Sequence, residues 1–402
     1  MQSIFPSLLH VQHLSEVLKI LDGALKANAS MAGSYAGLLA DKLENDGERH
    51  QARMIRERLA RAPIAVASAQ GAGHGHILGQ MPADNDSRLN TVDYSQPTLE
   101  GSEVLLPDAI EARLLEFIQC VEHHDALQRV GAAVASRVLI YGPPGTGKTQ
   151  TARWIAARLK LPLLTVRCDT LVSSLLGQTS RNLRRVFDYA QQLPCVLFLD
   201  EFDALAGARG NERDVGELQR VVIALLQNMD ALPDSTVLVA STNHEQLLDP
   251  AIDRRFPFHI PMPVPDATLR EALWRKLLGS FAPEDLNWPD LAALSDGATG
   301  ATIEHVSQDA KRKAVLAGQA RAQKLALLRR LGLTLALAKG ERLTTTEQEI
   351  RWLRAWAPAH FTLRALVALY NLSMRQVQNT LNENKGPRDG IEEKTQPGKK
   401  KR

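Results

Sequence analysis

Through the middle of the chain, short continuous apolar runs alternate with stretches whose apolar residues return every three or four positions. Val138 to Tyr141, Leu163 to Val166, Val196 to Leu199 and Val237 to Ala240 are the short runs. A strand that is apolar at every position has both faces buried, so each run predicts an inner strand. Helical periodicity flanks each of them. Together they predict an α/β fold, a parallel sheet covered by helices on both faces, with regular structure resuming near Val104.

The ends of the chain read differently. Residues 5–61 predict helices: Leu38, Leu39 and Leu43 share one helical face, Asn45, Asp46 and Gly47 make a turn, and Ala52, Ile55 and Leu59 continue a second stripe. This is a helix pair preceded by another helix. Residues 62–100 are rich in Ala, Gly, Ser, Asp and Pro without an apolar period, which predicts a flexible linker. His74 and His76 lie in it with no further ligand nearby, so a solvated linker outweighs a metal site there. From Ala267 to about Gly318 the pattern is helical only. Residues 321–343 read as a helical connector and 344–384 as a last helical block. A polar tail, 385–402, ends in Lys399, Lys400, Lys401 and Arg402.

Composition narrows the picture without deciding it. A length of 402 residues exceeds one ordinary domain, and 44% hydrophobic with 23% charged residues is usual for a globular chain. Forty-eight basic against 45 acidic side chains give a net charge of +3, too even to announce a nucleic-acid binder. No apolar run is long enough for a bilayer span, and the N-terminus has no signal-peptide pattern, so no membrane partner is expected. Cys120, Cys168 and Cys195 are widely spaced and form no CxxC pair, which fits a reducing cytoplasm.

The chemistry enters with the run from the first strand into Gly142-Pro143-Pro144-Gly145-Thr146-Gly147-Lys148-Thr149 and then into a helix. Strand, glycine-rich loop and helix in that order form a phosphate-binding loop. Its backbone N–H groups and the helix N-terminus wrap phosphates, Lys148 reaches the β- and γ-phosphates, and Thr149 holds Mg²⁺. Asp200 and Glu201 close the strand Val196–Leu199. Asp200 is expected at the Mg²⁺ shell and Glu201 as the general base for water; the bland alternative is that they cap the next helix. Asn243, after the strand Val237–Ala240, is either a turn residue or a group that holds water or the γ-phosphate. Arg254 and Arg255 are suited to stabilising phosphoryl charge, or are a solvated surface pair.

GPPGTGKT at 142–149, VLFLDEFDAL at 196–205, STN at 241–243 and LDPAIDRRF at 248–256, in this order and spacing, resemble the AAA family of P-loop ATPases across about Val104 to Gly318. The run AIDRRFPFHIPMPVPD resembles its single-ring protein-remodelling branch, which includes the katanin-like and Vps4-like ATPases. The resemblance implies an αβα ATPase core at 101–264 and a helical lid at 265–320, with ATP and Mg²⁺ as cofactors. It makes Asn243 the sensor-1 residue and Arg254 and Arg255 arginine fingers acting on a neighbouring subunit, hence a homo-oligomeric, hexameric ring. Gly300 and Ala301 match the lid segment beside the adenosine, where this branch carries no sensor-2 arginine. At the pore-loop position that is usually aromatic, this chain has Leu175, which offers less grip on a threaded polypeptide; packing of Leu175 and Leu176 inside the domain is the alternative.

The flanks add partners rather than chemistry. The N-terminal helices weakly resemble adaptor units, and a part in ring assembly fits equally. At 361–382, Leu366, Val367, Leu372, Val377 and Leu381 fall where a helix-turn-helix places its core, leaving Arg375, Gln376, Gln378 and Asn379 exposed. A plain hairpin packed on the lid explains the same apolar residues. The expectation is an ATPase that remodels or moves a macromolecule, a protein in the first place. The competing reading is a DNA-associated ATPase targeted through 361–382. Nothing favours a binding-only scaffold.

Overall fold

The computed structural model describes residues 13–25, 29–60, 92–171, 176–206, 215–233 and 236–382. The chain divides into two compact units, residues 1–264 and 265–402. In the first, helices α1 (Leu14–Leu25), α2 (Ala29–Asn45) and α3 (Arg49–Ala60) precede strand β1 (Val92–Ser95), helices α4 (Asp108–Glu122) and α5 (His124–Arg129), and strand β2 (Arg137–Tyr141). Helix α6 (Lys148–Arg158), β3 (Leu163–Arg167), α7 (Cys168–Leu171), α8 (Leu176–Ala190) and β4 (Val196–Asp200) follow. Then come α9 (Asp203–Ala206), α10 (Val215–Ala231), β5 (Val237–Thr242), α11 (Pro250–Asp253) and β6 (Phe258–Pro261).

The six strands form one sheet in the order β1-β3-β4-β5-β2-β6. β3, β4, β5, β2 and β6 run parallel, and β1 pairs antiparallel with β3. The continuous apolar strands are explained by their neighbours. Leu197 and Leu199 of β4, with Leu238 and Ala240 of β5, enter the core on one face with Phe187, Leu225 and Phe256. Val196 and Phe198, with Val237 and Val239, enter the core on the other face with Leu114, Phe117 and Ile155. Successive side chains point to opposite faces of a strand, so both faces being covered demands apolar residues at every position.

Two strands were not foreseen. β1 lies inside the stretch predicted to be linker, so that stretch is structured from Val92; its residues 62–91, with His74 and His76, lie outside the described residues, as do the basic tail and Leu175. β1 has only four residues, and of these Val92 is buried while Asp93 is exposed. So short an edge strand leaves no periodic signal. β6 contains His259 and ends at Pro261, both tolerated because it too is an edge strand.

The N-terminal helices pack round Leu39, Ala40, Leu43 and Ala52. Arg56 of α3 ties them on the outside through Asp41 and Glu44, both at 2.6 Å. Buried Tyr35 donates to Gln191 O at 3.4 Å, so α2 rests on the sheet domain beyond the end of α8.

Among its described residues the second unit is all helical: α12 (Ala267–Leu278), α13 (Trp288–Leu294), α14 (Gly300–Leu316), α15 (Lys324–Ala338), α16 (Thr346–Trp356), α17 (Leu363–Tyr370) and α18 (Met374–Asn382). One core, containing Trp274, Ile303, Leu331, Leu353, Phe361, Leu366 and Val377, joins the expected lid, connector and C-terminal block. Buried Trp274 donates from Nε1 to Ser295 Oγ at 3.0 Å, which satisfies the indole.

Candidate nucleotide site

The loop between β2 and α6 is shaped by glycine. Gly142 has φ +142°, and a Cβ there would stand 2.2 Å from Met262 O, the backbone just past β6. No other residue fits. Gly147 has φ +98° and opens α6, so the loop turns directly into a helix N-terminus. Lys148, only 8% exposed, donates from Nζ to Gly142 O and Pro143 O, both at 2.8 Å. Burial pushes its ammonium below the ordinary lysine value, while Asp200 and Asp203 act in the opposite sense. Thr146 Oγ1 donates to Pro143 O at 2.9 Å and closes the loop.

The end of β4 meets this loop from the neighbourhood of β5. Asp200 accepts from Thr149 Oγ1 on Oδ2 at 3.0 Å, and from Ser241 Oγ at 2.5 Å and Glu201 N at 3.1 Å on Oδ1. Its carboxylate is thereby fixed between the P-loop helix and β5. Glu201 is exposed and holds φ +53°, a left-handed conformation that costs an ordinary residue about 1 kcal/mol or more. That turn frees Phe202 N to donate to Ser241 O at 2.8 Å, so the carboxylate-bearing corner is pinned across the strand ends. The helix-capping alternative for Asp200 is replaced by these contacts: its side chain bonds Thr149, Ser241 and Glu201 N.

Thr242 Oγ1 donates to Asp203 Oδ1 at 2.8 Å and accepts from His244 N at 2.9 Å. Asn243 is half-buried between them in sequence, directly past β5. Ser241 and Thr242, to which the sequence reading gave no role although both belong to the STN motif, are the side chains that bond Asp200 and Asp203.

The two arginines differ. Arg254 is exposed. Arg255 grips Asp230 through Nε and Nη2 at 3.2 and 3.1 Å and donates from Nη1 to Ala251 O at 2.9 Å. Its guanidinium holds the Asp230 carboxyl below the usual carboxylate range. In the second unit, Gly300 and Ala301 open α14 behind the cap in which Thr299 Oγ1 accepts from Thr302 N.

The donors fit a triphosphate with a divalent cation. They comprise a buried ammonium held by loop carbonyls, backbone N–H groups at a helix N-terminus, and a hydroxyl and carboxylate 3.0 Å apart. Residues 138–264 match the family model described as "ATPase family associated with various cellular activities (AAA)". These residues form an AAA ATPase domain, an ATP-hydrolysing module.

The AAA domain carries the likeness to known proteins. An uncharacterized AAA family ATPase, y4kL, of Sinorhizobium fredii is 37% identical over 223 residues, 56% of this chain and 66% of that protein. The proteasome-activating nucleotidase of Methanopyrus kandleri is 30% identical over 253 residues, 60% of this chain and 57% of the relative. The cell division cycle protein 48 homolog of Archaeoglobus fulgidus is 34% identical over 236 residues, 57% of this chain and 32% of the relative. The chain thus spans between about a third and two thirds of these relatives.

Proposed function

We propose that this protein is a MgATP-driven remodeller of other proteins that works as a homo-oligomeric ring of six. The observation that supports it best is the convergence of Lys148, Thr149, Asp200 and Ser241 at the C-terminal ends of β2, β4 and β5.

In this reading the backbone of 142–149 wraps the phosphates, and Lys148 exchanges its loop carbonyls for the β- and γ-phosphates. Thr149 and Asp200 would hold magnesium, whose charge would offset that developing on the transferring phosphoryl group. Glu201 takes the proton of the attacking water, from a backbone turn that presents its carboxylate to solvent. Asn243 orients that water. Arg254 serves the nucleotide of a neighbouring copy, and Arg255, anchored on Asp230, positions it. The family resemblance assigns Gly300 and Ala301 to the adenosine.

One relative is named as activating a proteasome, which favours a protein as partner. The finer katanin- and Vps4-like placement rests on residues 251–266 alone, as the relatives carry other names. No described helix is long and apolar enough to cross a membrane, and the three cysteines are free; a cytoplasmic setting is part of the proposal.

The test is sedimentation of the Glu201→Gln protein in MgATP, together with turnover of the parent protein titrated with an unfolded polypeptide. A six-copy particle and stimulated turnover are expected. A fully active monomer would overturn the ring. Turnover indifferent to unfolded polypeptides would overturn the protein partner.

A further inference from the structure

We propose that α17 and α18 form a helix-turn-helix whose second helix, α18, binds the major groove of duplex DNA. The two helices are joined by Asn371, Leu372 and Ser373, the connector length of that motif. Asn371, at φ +53° and ψ +43°, ends α17 in the left-handed conformation that turns the chain sharply. A reciprocal cap then starts α18: Ser373 N and Oγ both donate to Gln376 Oε1 at 2.8 Å, and Gln376 N donates to Ser373 Oγ at 3.3 Å. Gln376, although exposed, is therefore occupied by the turn.

The faces of α18 are cleanly divided. Val377 and Leu381 pack with Leu366 and Leu372 into the core. Arg351 of α16 donates to Thr380 O at 2.6 Å and fixes the far end of α18. Arg375, Gln378, Asn379 and Asn382 are exposed, and their spacing of three, four and seven places them on one stripe. An arginine and three amides in a row are the side chains that pair with guanine and adenine edges. From Ile350 to Asn382 the sequence has Arg351, Arg354, Arg364 and Arg375 and not one Asp or Glu, although the whole chain is nearly neutral. Arg351 and Arg354 are tied to backbone carbonyls, but Arg364 stands exposed in the first turn of α17, where such motifs meet the phosphates. The four residues of the stripe are polar; Met374, 39% exposed at the start of α18, borders them as a single apolar contact, short of the clustered aromatic and aliphatic anchors that dominate protein interfaces, so a duplex suits the stripe better than a protein. The deep, narrow major groove of A-form RNA does not admit a helix, so DNA is the duplex committed to.

The inference stands apart from ATP turnover and is tested without nucleotide. Anisotropy of labelled 30-base-pair duplex DNA pools with randomised centres is measured with the full chain across a salt series, against duplex RNA and against an Arg375→Ala/Gln378→Ala variant. Both substitutions are on the exposed stripe, and an unchanged melting temperature verifies the fold. The expected result is DNA binding that weakens steeply with salt, exceeds RNA binding, and falls about tenfold or more in the variant. No DNA binding at low salt, equal affinity for RNA, or undiminished binding by the variant would overturn it; in the first case the stripe is left as a docking face for a protein.

Discussion

Thr149 Oγ1 donates to Asp200 Oδ2 at 3.0 Å across 51 residues of sequence, joining the helix that opens at the P-loop to the end of β4. Ser241 Oγ holds the other carboxylate oxygen at 2.5 Å. Both carboxylate oxygens of Asp200 are thus fixed by the protein's own hydroxyl groups. Asp200→Asn is expected to reduce turnover by at least roughly 10²-fold, with magnesium no longer tightening nucleotide binding. Titration with a fluorescent ATP analogue, with magnesium or with EDTA, checks this: parent and variant should differ with magnesium and agree in EDTA.

Glu201 has an unusual backbone for its residue type, at φ +53°. Glycine adopts that conformation without cost, so Glu201→Gly should raise stability by about 0.5–1 kcal/mol while abolishing turnover. Denaturant unfolding of Glu201→Gly beside Glu201→Ala separates the two effects. Equal stability of these variants would show that the corner stores no strain.

Arg254 and Arg255 should differ in what they disturb. Arg254→Ala is expected to leave the melting temperature unchanged and cut turnover by roughly 10³-fold, with ATP affinity preserved. Asp230→Asn loosens Arg255 and should lower turnover by less. Mixing Arg254→Ala with Lys148→Ala protein should restore part of the activity, because some interfaces then pair an intact finger with an intact P-loop. Absence of rescue in verified mixed rings would remove the trans assignment.

Burial lowers the Lys148 pKa from 10.5, so the nucleotide-free site loses its ammonium at a lower pH than a solvated lysine does. Bound phosphate favours the charged form. In the alkaline window below 10.5, ATP binding should therefore take up a proton, and affinity should fall as pH rises. Calorimetry in buffers of different ionisation enthalpy measures the uptake, and Lys148→Arg should abolish it. Uptake unchanged in Lys148→Arg would assign the proton elsewhere.

The inner sheet was legible because both its faces are buried, which leaves apolar runs at the centres of β2, β4 and β5 and, interrupted only by Thr165, of β3. The edge strands were not: β1 buries Val92 and exposes Asp93 within four residues, and β6 carries a histidine and a proline. In the candidate site, the P-loop and the Asp200–Glu201 pair stand out in the sequence because phosphate and metal chemistry would require such residue types at such spacing. Ser241 on Asp200 and Asp230 on Arg255 do not, since pairs 41 and 25 residues apart arise only when strands and helices are assembled. The tether of Arg255 to Asp230, which sets it apart from the exposed Arg254, was hidden for the same reason. The turn at Asn371–Ser373 rests instead on local features, an Asn cap and a Ser-x-x-Gln box.

The most direct measurement compares ATP binding and steady-state ATP turnover of the parent protein, Lys148→Ala and Glu201→Gln in magnesium. In the proposed function Lys148 contacts phosphate and Glu201 activates water, so the two losses should separate. The expected result is loss of nucleotide binding in Lys148→Ala, and retained binding with turnover reduced about 10²–10⁴-fold in Glu201→Gln. Normal turnover in Glu201→Gln, or unimpaired binding and turnover in Lys148→Ala, would contradict the assignment of this site.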